Sequence, residues 1–500
     1  MTITTNTGNI TPQYSLALIV FLVLFSVLHV LSWPQNPPTV DPINFHAALD
    51  YYDIATDRPH PPGYPLYVGL ARLASQFTGD AGAYQAINLL MMLGSAICLF
   101  LLMQGIGKPE VGLAAALLLL THPLSLAATV IAETYYSDAF FGALIAAWII
   151  LNARRTTLQF IGLAVIFLAL GLFRAVSCAE LMLLALACIF VSHEKTGRIR
   201  ALMRATAIIV VATGLAYAFT IYLAGGYVAY SEAVARVMGA AFAEKSFIAG
   251  APIRDHLFMV FRFFVWLAVM ALPTWLVLAL VLRRWKQGKL EMSPVAINAI
   301  VVATCWLLPP VGLYVFFYFL KPTYLLVLMP ALLTMLAWML FALFSNRKTL
   351  AWLAVILLTI VQLSLFYGMN KSWPYPLYRI SHTFLQAQDA SWSDLKASSS
   401  RINDAKSLLV WVNNPLDFDS VRLLEWQGQA VYFNRDVWKF KGVDTHTMVW
   451  DNDLDKSVIS GGEFSRLLVI DQKDGTTTYE LIELAPDQSL DLHTLVTQLE

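Results

Sequence analysis

The sequence predicts an all-α polytopic membrane protein of about eleven transmembrane helices, followed by a small extracytoplasmic α/β domain. Three observations carry this expectation. Of 500 residues, 58% are apolar and only 13% charged, against about a quarter charged in a soluble chain. Mean hydropathy is +0.63, so lipid is the solvent for most of the chain. Charge is also unevenly spread: residues 1–369 hold 21 basic and 14 acidic side chains, and residues 370–500 hold 12 and 19. A sparse, basic membrane region (1–369) thus precedes an acidic domain of ordinary soluble charge density (370–500). Disorder, fibrous repeats and a compact soluble enzyme are excluded together.

Each span follows from the need for roughly 20 mostly apolar residues to cross a bilayer. Eleven runs qualify: 14–33, 84–104, 110–131, 136–152, 158–173, 175–192, 205–224, 257–281, 295–316, 322–344 and 349–369. The first ends in Ser32-Trp33-Pro34 with no small-x-small cleavage pattern, so it reads as an uncleaved span. With the N-terminus inside, thirteen basic residues fall in inner loops and seven in longer outer ones. That bias predicts a cytoplasmic N-terminus and, for an odd span count, an external tail. The expected setting is a bacterial inner (plasma) membrane, with the tail periplasmic or extracellular.

Cys98, Cys178, Cys188 and Cys305 all lie in apolar runs, so neither a disulfide framework nor zinc spacing exists. Basic and acidic residues balance at 33 each, and no nucleic-acid partner is expected. In the tail, 407–412, 430–433, 466–470 and 476–482 are short β-rich runs bounded by Asn, Asp and Gly. Asp451, Asp453 and Asp455 alternate as in a calcium loop, but the glycine and closing glutamate of that motif are missing.

The first outer loop, about 34–83, is the most informative stretch. From Pro42 onward Phe45, Ala48, Leu49, Tyr52 and Ala55 share one helical face, while His46, Asp50, Asp53 and Asp57 share the other. This predicts an interfacial helix over 42–57. A metal on His46, Asp50 and Asp53 fits the spacing, but a solvated polar face is the stronger reading; no cofactor is certain, and a divalent metal stays open as the less favoured alternative. Four prolines then make a rigid corner that fixes His60 and Tyr64 beside the membrane.

Asp41, just before Pro42, has two readings. It is a good helix cap, which spacing alone favours, or a general base at the mouth of a membrane cavity. Glu133 and Asp138 flank a very short outer turn, where carboxylates beside hydrocarbon are functional candidates or simple interfacial anchors. Arg174 lies between nearly continuous apolar runs and must pair with an acid, helix-end carbonyls or a phosphate. Lys321 is the one cation of its outer turn. Snorkelling to the interface is the alternative for both. Glu180 and Arg262 fall inside spans, and 226–256 reads as a surface helix.

Together these residues resemble a family. The acid soon after the first span, the surface helix and His-Pro-Pro-Gly-Tyr-Pro-Leu-Tyr at 60–67 are similar to the first outer loop of GT-C-fold glycosyltransferases. The likeness is to the protein O-mannosyltransferase and aminoarabinose-transferase branch. Glu-x-Tyr-x-x-Asp at 133–138, Gly-Leu-Phe-Arg at 171–174 and Lys-Pro-Thr-Tyr-Leu at 321–325 resemble later outer-loop positions of the same enzymes. The resemblance covers roughly 14–370. It implies transfer of a sugar from a polyprenyl-phosphate donor to a hydroxyl acceptor on the outer face. Asp41 would then be the base, with Glu133 or Asp138 orienting acceptor or sugar. Arg174 and Lys321 would hold the donor phosphate, with Arg58 as a further cation, and His60, Tyr64, Tyr136 and Tyr324 as substrate contacts. The sequence departs from the pattern at Asn44, where relatives often carry a second acid, which leaves Asp41 to act alone. Two other classes compete: a transporter or lipid-linked-sugar flippase, which would place charges around a mid-membrane cavity, and an assembly subunit whose tail binds a partner.

Overall fold

A computed structural model describes residues 12–36, 40–56, 58–131, 133–242, 246–288, 294–319 and 321–399. In the tail it describes 407–412, 429–433, 448–450, 458–460, 464–473 and 476–491. Asp57 and the calcium-like run Asp451, Asp453 and Asp455 lie outside the described residues. The chain divides into two compact units, residues 1–33 with 48–382 and residues 34–47 with 383–500.

In chain order the first helices are α1 (Pro12–Val30), α2 (Val40–Asp50), α3 (Pro65–Gly105), α4 (Pro109–Thr121), α5 (Pro123–Val130) and α6 (Tyr135–Leu151). Then come α7 (Thr156–Ser192), α8 (Lys195–Leu223), α9 (Tyr227–Phe242), α10 (Ile253–Met270), α11 (Leu272–Lys286), α12 (Pro294–Phe316), α13 (Met329–Leu343) and α14 (Lys348–Gly368). Leu16, Val23, Val211, Phe261 and Leu357 are all more than half exposed, as helices facing lipid require.

Every one of the eleven apolar runs lies on a helix or on a pair of helices joined by a short break. Six helices are long and apolar enough to cross a membrane: α1, α3, α7, α8, α12 and α14. By length and composition two bent pairs, α4–α5 at 56° and α10–α11 at 73°, each add one more when the pair is counted as a single span. The runs 158–173 and 175–192 are the two arms of α7, which folds back on itself at Arg174 through extended backbone (φ −161°, ψ 96°), so that His193 Nε2 at the end of the second arm lies 2.9 Å from Gln159 Oε1 at the start of the first. Helices α6 and α13, at 17 and 15 residues, are the shorter apolar helices, and the 3-10 turn Pro322–Val327 leads directly into α13. Proline explains the bends. Pro123 opens α5 and Pro273 sits in the first turn of α11, and neither can donate the backbone hydrogen bond that would continue the preceding helix. The two breaks meet where His122 Nε2 lies 3.2 Å from the Met270 carbonyl oxygen.

Small residues bring helices close. A Cβ on Gly171 would stand 2.6 Å from that of Ala216, and one on Gly162 would stand 1.9 Å from the Trp148 indole nitrogen. Helices α7 and α8 therefore approach closely at Gly171, and Gly162 on α7 makes room for the Trp148 indole of α6.

The helix expected over 42–57 is shorter and is followed by a separate 3-10 turn, Ile54–Thr56. Asp53 explains the stop. Its carboxylate accepts from Ala55 N (3.0 Å) and Thr56 Oγ1 (2.9 Å), while its backbone exchanges hydrogen bonds with Arg58. The side chain thus organises a turn in place of further helix.

In the second unit, α16 (His382–Ser399) precedes a five-stranded sheet of order β3-β2-β1-β5-β6, where α15 is the single turn Tyr375–Tyr378 before it. Strand β1 (Ser407–Val412) pairs in parallel with β2 (Gln429–Phe433) and β5 (Arg466–Lys473). Strands β3 (Met448–Trp450) and β6 (Thr476–Glu483) add antiparallel edges. The four β-rich runs of the tail fall on β1, β2, β5 and β6. Asn36 fastens this unit to its helix, donating from Nδ2 to Asp389 Oδ1 (2.9 Å) and to Ser393 Oγ (3.0 Å).

Candidate active site

Within the helical unit, one end of α6, the break in α7, the end of α12 and the 3-10 turn Pro322–Val327 converge on a cluster of charged and tyrosine side chains. The break in α7 takes Arg174 out of helical geometry. Its guanidinium pairs with the Asp138 carboxylate and lies 3.8 Å from Glu180 Oε2. Ser177, one turn on, donates to the other Asp138 oxygen. Glu180 Oε1 accepts from the Tyr314 hydroxyl at 3.0 Å, and Glu180 Oε2 has no hydrogen-bond donor among the described residues.

Lys321 occupies the neighbouring position. Its Nζ donates to Glu133 Oε1 at 2.8 Å. The Tyr135 ring lies between the two cations, 4.8 Å from the Arg174 guanidinium carbon and 5.8 Å from Lys321 Nζ, with the Tyr324 ring 4.7 Å away. Both distances are cation–π range. The two cations differ in access: the Arg174 side chain is 11% exposed and Lys321 33%.

Glu133 is held from behind. Asn88 on α3 donates to the carbonyls of Ile131 (2.8 Å) and Glu133 (3.1 Å), and the Tyr67 hydroxyl reaches the same Glu133 carbonyl at 3.3 Å. Tyr67 closes the motif at 60–67 and its ring packs at a tilt against Phe173, centroids 5.9 Å apart, beside Arg174. The outer-loop motif and the Gly-Leu-Phe-Arg segment are thereby in direct contact.

Five of the residues expected at a site therefore meet: Glu133, Asp138, Arg174, Lys321 and Tyr324. Tyr136 is wholly buried, and the adjacent Tyr135 takes the position between the cations. The remaining expected residues have other surroundings. Asp41 lies in the first turn of α2, within the smaller unit. The helix begins at Val40, so Asp41 is inside it and not a cap before it; its carboxylate sits at the positive end of the helix. Asn44, one turn along, is buried, and its side-chain oxygen has no hydrogen-bond partner among the described residues. Arg58 uses its backbone to close the turn with Asp53. His60 Nε2 and Tyr64 Oη lie 3.1 Å apart, and Tyr64 has left-handed backbone (φ 49°, ψ 48°), where extended geometry is the rule before proline. Beneath them Gly63, at φ +105°, packs over Ile54 and Tyr52. Burial pushes the Tyr52 hydroxyl well above its ordinary range, so it stays protonated.

Tyr135, Ser177, Tyr314, Tyr67 and Asn88 are the residues that sequence reasoning did not single out for the site. Tyr135 and Tyr67 stood inside the quoted motifs. Tyr314, Ser177 and Asn88 sit in apolar runs, where a lone polar side chain facing inward was the available signal.

No protein-family model matches this sequence, and no curated protein matches it. Solved structures do. ArnT from Cupriavidus metallidurans bound to undecaprenyl phosphate is similar at 12% identity with a TM-score of 0.60, over 94% of this chain and 98% of that one. The chain has the GT-C fold of ArnT. ArnT from the same organism in the apo state is similar at 14% identity and TM-score 0.54, over 83% of this chain and 86% of that one. The apolar helices make the protein an integral membrane protein. A shared fold carries no activity by itself, so chemistry is argued from the cluster.

Proposed function

We propose that the protein is a membrane glycosyltransferase that moves a sugar from a polyprenyl-phosphate donor to a hydroxyl acceptor of a protein, lipid or glycan. The reading is supported by the ArnT-like fold over 94% of the chain. The observation that carries it is the pair of cations around Tyr135, held by buried acids at one end of the helical unit. Lys321 is the more exposed cation and has one carboxylate partner, Glu133; it meets the donor phosphate. Arg174 stands behind it, restrained by Asp138 and Glu180, and supplies a fixed positive potential. Arg58, His60, Tyr64 and Tyr324 extend the donor contacts.

Asp41 serves as general base. It takes the proton of the acceptor hydroxyl, and the oxygen forms a bond to the anomeric carbon as the bond from that carbon to the phosphate oxygen breaks. The electron pair leaves with polyprenyl phosphate, where cations stabilise it. One displacement opposite the phosphate inverts the anomeric centre. Glu133 or Asp138 orients acceptor or sugar. The N-terminus is cytoplasmic and the acidic tail extracytoplasmic, in a bacterial inner membrane.

Purified protein incubated with radiolabelled polyprenyl-phosphate sugars and a cell-envelope extract tests this. Label should pass from lipid to an acceptor fraction, and Asp41→Asn should stop it while leaving membrane insertion unchanged. Full transfer by that variant removes Asp41 from the role. Absence of transfer from every lipid-linked donor removes the function.

A further inference from the structure

At the opposite end of the helical unit lies a cavity of about 340 Å³. The helices run through both places. From Asp138 to Ile150 on α6 is twelve residues, roughly 18 Å at helical rise, and Ile150 lines the cavity. Leu102 and Ile106 on α3, Leu282 on α11 and Ala303 on α12 also line it, and no lining residue is charged. On α12 the lining ends at Trp306, whose ring lies over Gly142 on α6 and whose indole N–H donates to the Val327 carbonyl at 2.8 Å. Val327 ends the 3-10 turn that carries Tyr324. The apolar chamber therefore ends at a tryptophan that is bonded to the segment bearing the candidate active site.

On α11 the lining runs into cations. Helix α11 finishes with Arg283, Arg284 and Lys286 around Trp285, which lines the cavity. Arg284 donates to the carbonyl of Leu343, the last residue of α13, at 3.0 Å, next to lining residue Ala342. Apolar space inside the bilayer with cations at its headgroup-level rim matches a chain and headgroup together.

We propose that this cavity is a binding site for an anionic phospholipid of the leaflet opposite the candidate active site. One acyl chain fills the space between α3, α6, α11 and α12, and the phosphate sits by Arg283, Arg284 and Lys286. A polyprenyl phosphate fits less well: its phosphate would belong at the Lys321 end, on the far side of Trp306. The bound chain supports Trp306 and, through Val327, the turn that presents Tyr324.

Lipid retained by the full-length protein after purification in mild detergent, quantified by native mass spectrometry, tests the proposal. The wild type should keep an anionic phospholipid through washing. Ala303→Phe and, independently, Ala342→Phe fill the space. Each should lower retention by roughly tenfold or more, the effect of displacing two or three methylenes. Arg284→Gln should shift the retained species from anionic towards zwitterionic. Thermal melting of each variant shows that it is folded, and the second filling variant stands if the first is not. Equal phospholipid retention by folded wild type and filled variants overturns the site. Selective loss of polyprenyl phosphate from the filled variants also overturns it, because the chamber would then belong to the donor. Lys321→Met, which removes the more exposed cation of the candidate active site, should leave phospholipid retention unchanged, so failure of the proposed transfer activity and failure of this site read out separately.

Discussion

Arg174 and Lys321 carry the same charge but differ in surroundings, and that difference separates binding from support. Arg174 is almost enclosed between Asp138, Glu180 and two tyrosine rings. Removing one partner of such a buried pair leaves the other uncompensated, at about 3–5 kcal/mol. Arg174→Met should therefore lower the thermal midpoint of the purified protein sharply, and adding Asp138→Asn should recover part of the loss by removing the stranded charge. Lys321 is a third exposed. Lys321→Met should leave the melting curve within a few degrees and cut transfer from a lipid-linked donor by about 10²–10³, the usual loss when one stabilising group for a developing anion is removed. Both cations were legible in the sequence because a charge between apolar runs has few places to go. Their partners were less so. Glu133 and Asp138 stood in a visible outer turn, but Tyr314 lies near the end of an apolar helix, and no spacing connects it to Glu180. Tyr136 was singled out in place of Tyr135 because the two are adjacent; only the start of α6 decides which of them faces the cations.

Elements meet through residues with little or no side chain. Gly162 on α7 leaves room for Trp148 on α6, where a single added carbon would lie within 1.9 Å of the indole nitrogen. Gly162→Ala should destabilise the protein by about 1–3 kcal/mol, the range for overpacking, and Trp148→Phe in the same chain should relieve it; a thermal double-mutant cycle measures both. Gly63 has a different constraint. Its φ is +105°, and a Cβ added there would stand 2.4 Å from the Ile54 terminal carbon and 2.9 Å from the Tyr52 hydroxyl oxygen. Gly63→Ala should cost on the order of 1–2 kcal/mol for the backbone alone, and should loosen the His60–Tyr64 corner, seen as faster limited proteolysis between α2 and α3. Hydropathy located every apolar helix, because a bilayer demands runs of one composition. It also set a boundary at Arg174, where α7 folds back, but the prolines at 123 and 273 bend spans that composition reads as straight.

At the scale of the molecule, the fold was legible although 12% identity to ArnT leaves little sequence in common. What made it legible within this chain is the order of its apolar runs, which bilayer thickness sets, together with short motifs built around a rigid corner and buried charge. Orientation is a separate inference, resting on thirteen basic residues of one set of loops against seven of the other. It can be read directly. The native cysteines are buried or half-buried in apolar helices, so they give a low background to a membrane-impermeant maleimide. Arg198→Cys, in the turn region opening α8, should stay unlabelled in intact cells and react only after lysis. Lys371→Cys, just beyond α14, should react in intact cells. The reverse pattern would put Lys321 and Arg174 on the cytoplasmic side, where a donor could be used before it is carried across the membrane. It would also place Arg283, Arg284 and Lys286 at the outer leaflet, against the charge bias from which the orientation was argued.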